Sequence, residues 1–191
     1  MLTTPENIRT LQRKRYRKAK QEPTYRFYAL YDKVFRADIL SHAYTLVRAN
    51  KGSAGIDGVT FEAIAVREGV SAFLAELQEA LRSKTYQASP VKRVMIPKTD
   101  GTERPLGIPT IRDRVAQMAV KLVIEPIFEA DFCECSYGFR PKKSAHDAVN
   151  DVAYTLNKGY TEIIDADLSK YFDTIPPCQA YGCGSRAHQR R

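Results

Sequence analysis

At 191 residues, with 43% hydrophobic and 27% charged content, the chain carries enough apolar material to bury a core, which excludes an intrinsically disordered polyelectrolyte. Its formal charge of +8 is concentrated at one end: residues 1–50 hold 11 Lys/Arg against 4 Asp/Glu, whereas the other 141 hold 19 against 18. No run approaches the ~18 apolar residues of a membrane span and no apolar signal core opens the chain, so a cytoplasmic protein without membrane contact is expected.

The basic end centres on Arg13-Lys14-Arg15-Tyr16-Arg17-Lys18. Cations that neutralise phosphates release condensed counterions, so a basic arm on a nearly neutral body points to nucleic acid. The same run also suits a solvated helix face or a flexible tail, and the pattern leaves these readings side by side. From Phe35 to Ala49 the apolar residues Phe35, Ile39, Leu40, Ala43, Leu46 and Val47 recur at helical spacing and predict an amphipathic helix ending before Gly52. Lys51-Gly52-Ser53-Ala54-Gly55-Ile56-Asp57-Gly58 then places three glycines in eight positions, a loop whose backbone can approach a phosphate or simply connect helices. It is not a P-loop, since no Gly-Lys-Ser/Thr follows at the required spacing.

Two further helices are predicted over Phe61–Val66 and Ser71–Arg82, the second capped by Ser71 and apolar at Phe73, Leu74, Leu77 and Leu81. Val91–Ile96 and Arg104–Ile108 flank Asp100-Gly101, a strong hairpin signal, and the prolines at 97, 105 and 109 confine that ribbon to an edge or an irregular form. Lys92, Arg93, Lys98 and Arg104 make it cationic, which suits a triphosphate or a template strand. Val115, Met118, Ala119, Leu122 and Val123 predict a helix ending near Pro126. Ser144-Ala145-His146-Asp147 starts another in capping-box style, with Ala148, Val149, Val152, Ala153 and Leu156 as its buried stripe. His146 in that first turn fits packing or capping better than catalysis. Gly159 is a stop, after which Tyr160–Leu168 reads as a buried strand. Beyond Pro176 the apolar period vanishes, and residues 177–191 are expected to be disordered. Cys133, Cys135, Cys178 and Cys183 lack Cys-x-x-Cys spacing and are expected to be unpaired thiols.

Chemistry concentrates in Ile163-Ile164-Asp165-Ala166-Asp167-Leu168-Ser169-Lys170-Tyr171-Phe172-Asp173-Thr174-Ile175-Pro176. On a strand Asp165 and Asp167 share a face, and two neighbouring carboxylates are best held by a divalent ion or a basic partner. An isolated Asp-x-Asp also fits one solvent-facing and one capping residue. Phe172, five residues beyond Asp167, sits where a ring could pack beneath a nucleotide sugar, although Tyr171-Phe172 alone suits a core equally well. A two-metal site needs several carboxylates around ions about 3.5–4 Å apart, so this strand supplies only part of one.

The ordered series Asn50–Gly58, Pro90–Lys98, Arg104–Thr110, Asp113–Gln117, Glu125–Glu129, Ser136–Pro141 and Asp165–Ile175 closely resembles the reverse transcriptases encoded by group II introns, which join a polymerase to an RNA-splicing maturase. The resemblance covers about residues 30–176. It implies an α+β fold: a partial right-hand polymerase with helical fingers, a β-hairpin and the first palm strand, an incomplete palm and no thumb. The implied divisions are a basic arm over 1–34, fingers and palm start over 35–176, and an aberrant tail over 177–191.

By the same resemblance Asp167 is the first catalytic, metal-binding aspartate, with the Leu168 carbonyl as a further ligand and Mg2+ as cofactor, while Asp165 is supporting. Lys98 and Arg104 contact the deoxynucleotide triphosphate, the backbone amides of Lys170 and Tyr171 support it, and Phe172 gates the sugar. Arg13, Lys14, Arg15, Arg17, Lys18, Lys51 and Arg140 are the implied RNA-binding set. The partners implied are group II intron RNA, template RNA and a DNA primer. No Tyr-Ala-Asp-Asp-like motif follows Asp173, and Pro177-Cys178 stands where the family continues with a helix. The expectation is therefore a truncated RNA-directed DNA polymerase, inactive alone, with a residual RNA-binding module as the alternative. A homodimer or a second chain supplying the palm remains open.

Overall fold

Helix α1 spans Glu6–Gln21, with Glu6 in its first turn and Lys18 and Lys20 in its last, the charge order that the helix dipole favours. Ile8, Arg15 and Ala19 recur at helical spacing and are buried, while Arg13, Lys14 and Arg17 are exposed. The basic run is thus a helix with an inner side. The computed structural model describes residues 3–67, 69–99 and 101–168; the expectations for Lys170, Tyr171, Phe172 and the tail 177–191 lie outside them.

A short helix α2, Tyr31–Val34, leads into α3, Ala37–Ala49. Arg36 clamps the start of α3, its Nε and Nη2 donating to the two Asp38 carboxylate oxygens at 2.9 and 2.6 Å. That hydrogen bond holds the Asp38 carboxyl below its usual range. The predicted stripe of α3 is buried at Ile39, Leu40, Ala43 and Val47, joined by His42 and Tyr44. It meets Leu77 and Leu81 of α5, Phe61 and Ile64 of α4, Ile111, Val115, Ala119 and Val123 of α6, and Ile8 of α1 in one cluster. Each large aliphatic side chain removed from water there contributes about 1.5–3 kcal/mol.

Helix α4 is Phe61–Arg67 and α5 is Gly69–Arg82. The second begins two residues before the predicted cap: Gly69 at φ +77° makes the turn, and Ser71 lies inside the helix. Strands β1, Lys92–Pro97, and β2, Glu103–Ile108, form a two-stranded antiparallel sheet with Lys92 opposite Ile108 and Pro97 opposite Glu103. Among the described residues both strands are edges, which is how Pro97 and Pro105 are accommodated.

Helix α6, Ile111–Glu129, does not stop near Pro126 as the sequence suggested but continues past it. Proline has no N–H for the carbonyl four residues back, that of Leu122. The Gln12 amide donates to that carbonyl at 3.1 Å, and Arg15 Nη1 donates to the next one, Val123, at 3.4 Å. The replaced donor lets the helix run through the proline.

The chain divides into two compact units, Met1–Arg15 with Ala29–Pro126, and Tyr16–Tyr28 with Ile127–Arg191. In the second, helix α7, Ala145–Asn157, starts with the expected capping box: Ser144 Oγ accepts from Asp147 N–H at 3.2 Å, and Asp147 Oδ2 accepts from Ser144 N–H at 2.8 Å. The apolar stripe predicted to be buried is instead open, with Val149 65% exposed and no residue of α7 buried. Nothing among the described residues covers that face. Cys133 and Cys135 are free and exposed; Cys178 and Cys183 lie outside the described residues.

Candidate nucleotide and nucleic-acid interface

Cross-strand register places side chains of opposed residues on one face of the ribbon. Ile96 opposes Arg104, Val94 opposes Leu106 and Lys92 opposes Ile108, so Arg104 shares a face with Lys92 and four aliphatic residues. Lys98 lies one residue beyond the end of β1 and is exposed. Its N–H donates to the Thr102 carbonyl at 2.7 Å, closing the turn. Arg104 and Lys98 have no ion pair among the described residues. The two expected triphosphate contacts therefore both lie at the turn end of the ribbon.

The root of the ribbon is held by a residue to which the sequence reading gave no role of its own. Asp113 is 2% exposed, and its carboxylate accepts from Tyr86 Oη at 2.5 Å, Thr110 Oγ1 at 2.7 Å and Ser89 N–H at 3.2 Å. Ser89 precedes β1 and Thr110 follows β2, so one carboxylate ties both ends of the hairpin to α6. Thr110 Oγ1 accepts in return from Asp113 N–H at 3.1 Å. Thr110-x-x-Asp113 is thus the helix-start pattern that would have pointed to Asp113. Burial first, then the Asp113 hydrogen bond, push the Tyr86 phenol well above its ordinary value.

The glycine loop lies beside this root. Arg114 Nη2 donates to the Ser53 carbonyl at 2.7 Å, and its guanidinium lies over Phe61 at 5.9 Å. Gly55 is required by close approach: a Cβ there would come within 2.7 Å of Thr110 Cα. Gly58 is required by its φ of +66°. Arg48, Lys51, Ser53, Thr60 and Glu62 line an adjoining cavity of about 470 Å³. Lys51 therefore sits with a second cation and two hydroxyls at a polar opening.

The expected RNA-binding residues separate into two groups. Lys14 and Arg17 are exposed, and Arg13 is exposed with Nη1 3.6 Å from Glu6. Lys18 pairs with Glu22 at 2.6 Å and lies 4.3 Å from the Tyr25 ring centre. Arg15 does not fit the expectation: it is 7% exposed, donates inward to Val123, and is held below its ordinary pKa by burial. Arg140 is likewise turned inward. Its Nε and Nη2 reach Glu129, while Nη1 donates to the Cys133 and Ser136 carbonyls at 2.6 and 2.7 Å. A guanidinium with that many internal acceptors organises the loop after α6 rather than offering itself to RNA.

The expected buried strand over 160–168 is not formed. These residues have no ladder partner among the described residues, and all are exposed, Ile164 at 94%. A strand needs a neighbour for its backbone groups, and none of the described residues stands beside this one. Asp165, Asp167 and Leu168 lie in that segment. Among the described residues no group of three His, Cys, Asp or Glu side chains is placed to hold a metal ion. These residues alone do not fit a two-metal centre. No helix among the described residues is long and apolar enough to cross a membrane.

Residues 96–182 match the family model "Reverse transcriptase (RNA-dependent DNA polymerase)", and this places the chain in the reverse-transcriptase class. The chain is 40% identical over 174 residues to Protein YkfC of Escherichia coli K12, an alignment covering 88% of this chain and 45% of that protein. It is 33% identical over 152 residues to the group II intron-encoded protein LtrA of Lactococcus lactis, covering 78% of this chain and 24% of LtrA. It is also 33% identical over 140 residues to a putative COX1/OXI3 intron 2 protein of Saccharomyces cerevisiae, covering 70% and 15%. Within the class the chain belongs to the group II intron reverse transcriptases and maturases. It spans less than half the length of these relatives.

Proposed function

We propose that this chain provides the fingers and the start of the palm of an RNA-directed DNA polymerase of a group II intron, with intron RNA as its partner. The observation that carries the reading is the ribbon: Arg104 in β2 and Lys98 just beyond β1 lie at the turn end of a hairpin whose two ends are fixed by the single Asp113 carboxylate. A pre-set cationic face suits the phosphates of a deoxynucleotide triphosphate better than cations on a freely moving loop, because less ordering is needed on binding. Arg13, Lys14 and Arg17 on the open side of α1, with Lys51 at the glycine loop, serve as contacts to RNA phosphates. Template RNA and a DNA primer are the substrates in this reading. The right-hand arrangement of fingers and palm belongs to the same proposal.

Asp167 is the proposed first Mg2+-binding aspartate, with the Leu168 carbonyl beside it, and further carboxylates must complete the centre. The 191-residue polypeptide by itself then binds RNA without polymerising. Primer extension with Mg2+ and titration of a group II intron RNA and a random RNA at several salt concentrations test this together. Tighter binding of intron RNA with no extension is expected. Magnesium-dependent synthesis lost in Asp167→Ala would overturn the inactivity, and equal, weak, steeply salt-dependent binding of both RNAs would reduce the interaction to polyanion attraction.

A further inference from the structure

The loop after α6 carries two thiols that the polymerase reading does not use. Cys133 and Cys135 are free, exposed and separated by Glu134 alone. Ser136 N–H donates to the Cys133 carbonyl at 3.1 Å, which makes 133–136 a hydrogen-bonded turn with Cys135 inside it. Two steps of about 3.8 Å, bent through a turn, leave alternate Cα atoms roughly 5–6 Å apart. That separation falls inside the span of about 4.4–6.8 Å that a disulfide bridges. The turn is also fastened from outside. Arg140 Nη1 donates to the Cys133 and Ser136 carbonyls at 2.6 and 2.7 Å, and Lys143 Nζ donates to the Glu134 carbonyl at 3.0 Å. Phe139, at φ +55°, has a left-handed backbone without being glycine, so these bonds keep a strained loop in place.

We propose that Cys133 and Cys135 are a redox modification site: a hydroperoxide joins them in a reversible disulfide, and closing that ring loosens the hold of Arg140 on the loop. One sulfur, as thiolate, attacks a peroxide oxygen; the O–O bond breaks, the sulfur becomes a sulfenic acid, and the other oxygen leaves as water once protonated. The second sulfur then attacks the first, the S–S bond forms, the S–O bond breaks and a second water leaves. The two thiols give up two electrons and two protons in all, and the peroxide takes them up. A ring closed across a single intervening residue is strained and therefore easily reduced, which suits a reversible modification better than a structural cross-link. Closing it draws Cys133 and Cys135 together across Glu134, which turns the Cys133 carbonyl away from Ser136 and Arg140. The inference is independent of the nucleotide and RNA readings above.

The test treats the full reduced chain with hydrogen peroxide, alkylates the remaining thiols with iodoacetamide and maps the tryptic peptides by mass. The peptide that carries both Cys133 and Cys135 is expected to lack two hydrogens and to carry no alkyl group, and to take up two alkyl groups after treatment with dithiothreitol. A chain with Cys178→Ser and Cys183→Ser is expected to give the same product, and Cys133→Ser or Cys135→Ser to lose it. Amide exchange across 133–140 is expected to quicken about tenfold in the oxidised chain while exchange in α3 stays the same. Thiols that stay open to alkylation, sulfinic acid on either cysteine, or a bridge from Cys133 or Cys135 to Cys178, Cys183 or a second chain overturns the disulfide. The disulfide with unchanged exchange across the loop overturns the loosening. The product is read in the parent chain, so the outcome does not rest on the folding of any variant.

Discussion

The side-chain amide of Gln12 bonds the carbonyl of Leu122, the carbonyl that Pro126 leaves without a helical donor. Two residues 110 positions apart thereby replace one missing rung of α6. Gln12→Ala is expected to destabilise by about 1–2 kcal/mol, because a largely buried carbonyl loses its partner. In a Pro126→Ala background, where the backbone N–H returns, the same change should cost less by about 1 kcal/mol. Urea unfolding of the four proteins measures the coupling, and strict additivity would contradict the pairing.

Gly55→Ala is expected to destabilise by about 1–3 kcal/mol, since its new methyl group would meet the Thr110 backbone rather than a movable side chain. Gly52→Ala would meet the end of the Arg114 side chain, which can turn away. A lower melting temperature for the first substitution than for the second checks the distinction.

Asp113→Asn removes a charged acceptor shared by Tyr86, Ser89 and Thr110, and a loss of about 2 kcal/mol is expected. The local consequence is more specific. Hydrogen exchange across Lys92–Pro97 and Glu103–Ile108 should quicken more than across α3. Uniform acceleration would show that Asp113 supports the fold without governing the ribbon.

His42 is buried, its Nε2 has no hydrogen-bond partner among the described residues, and burial lowers its pKa. Between the lowered folded value and about 6.5 only the unfolded chain takes up the proton, so stability falls as pH drops below about 6.5 and levels off beneath the folded value. His42→Leu should flatten the stability profile between pH 5 and 7. The depressed carboxyls of Asp38 and Asp147 act in a different window: their contribution is present above about pH 4 and is lost as pH falls through their folded values. An unchanged slope in His42→Leu would assign the acid sensitivity elsewhere.

Arg15 and Arg17, two residues apart, should fail in different measurements. Arg17→Gln is expected to lower the salt dependence of RNA affinity by about one ion with little change in stability. Arg15→Gln is expected to lower the unfolding midpoint and leave the salt slope alone, because its guanidinium faces the Val123 carbonyl. A matching salt effect from both would contradict the inward placement of Arg15.

The helices and the hairpin were legible because their signals are local: the stripe of α3, Asp100-Gly101 between two short apolar runs, and the Ser144–Asp147 box each lie within a few residues. Four features were not legible. The passage of α6 through Pro126 depends on Gln12 and Arg15 of another helix, and the inward turn of Arg140 depends on Glu129 and two loop carbonyls. The stripe of α7 and the run Tyr160–Leu168 read as buried because apolar spacing reports a capacity for burial, not the presence of a partner. Of the candidate site, composition placed the cations and the family resemblance their roles. The joining of both hairpin ends through Asp113 required three-dimensional contacts.

Closure between Gln12 and Leu122 also sets an order of events during synthesis. At about 5–20 residues per second the ribosome needs roughly 5–20 s to make the 110 residues that separate the two. Through that interval a 16-residue helix with Ile8 on its inner side has no α6 to rest against, and a helix of that length is only marginally stable alone. Helix α1 is thus complete well before its native neighbours in α6 exist, which leaves it open to proteases and chaperones while the residues between them are being translated.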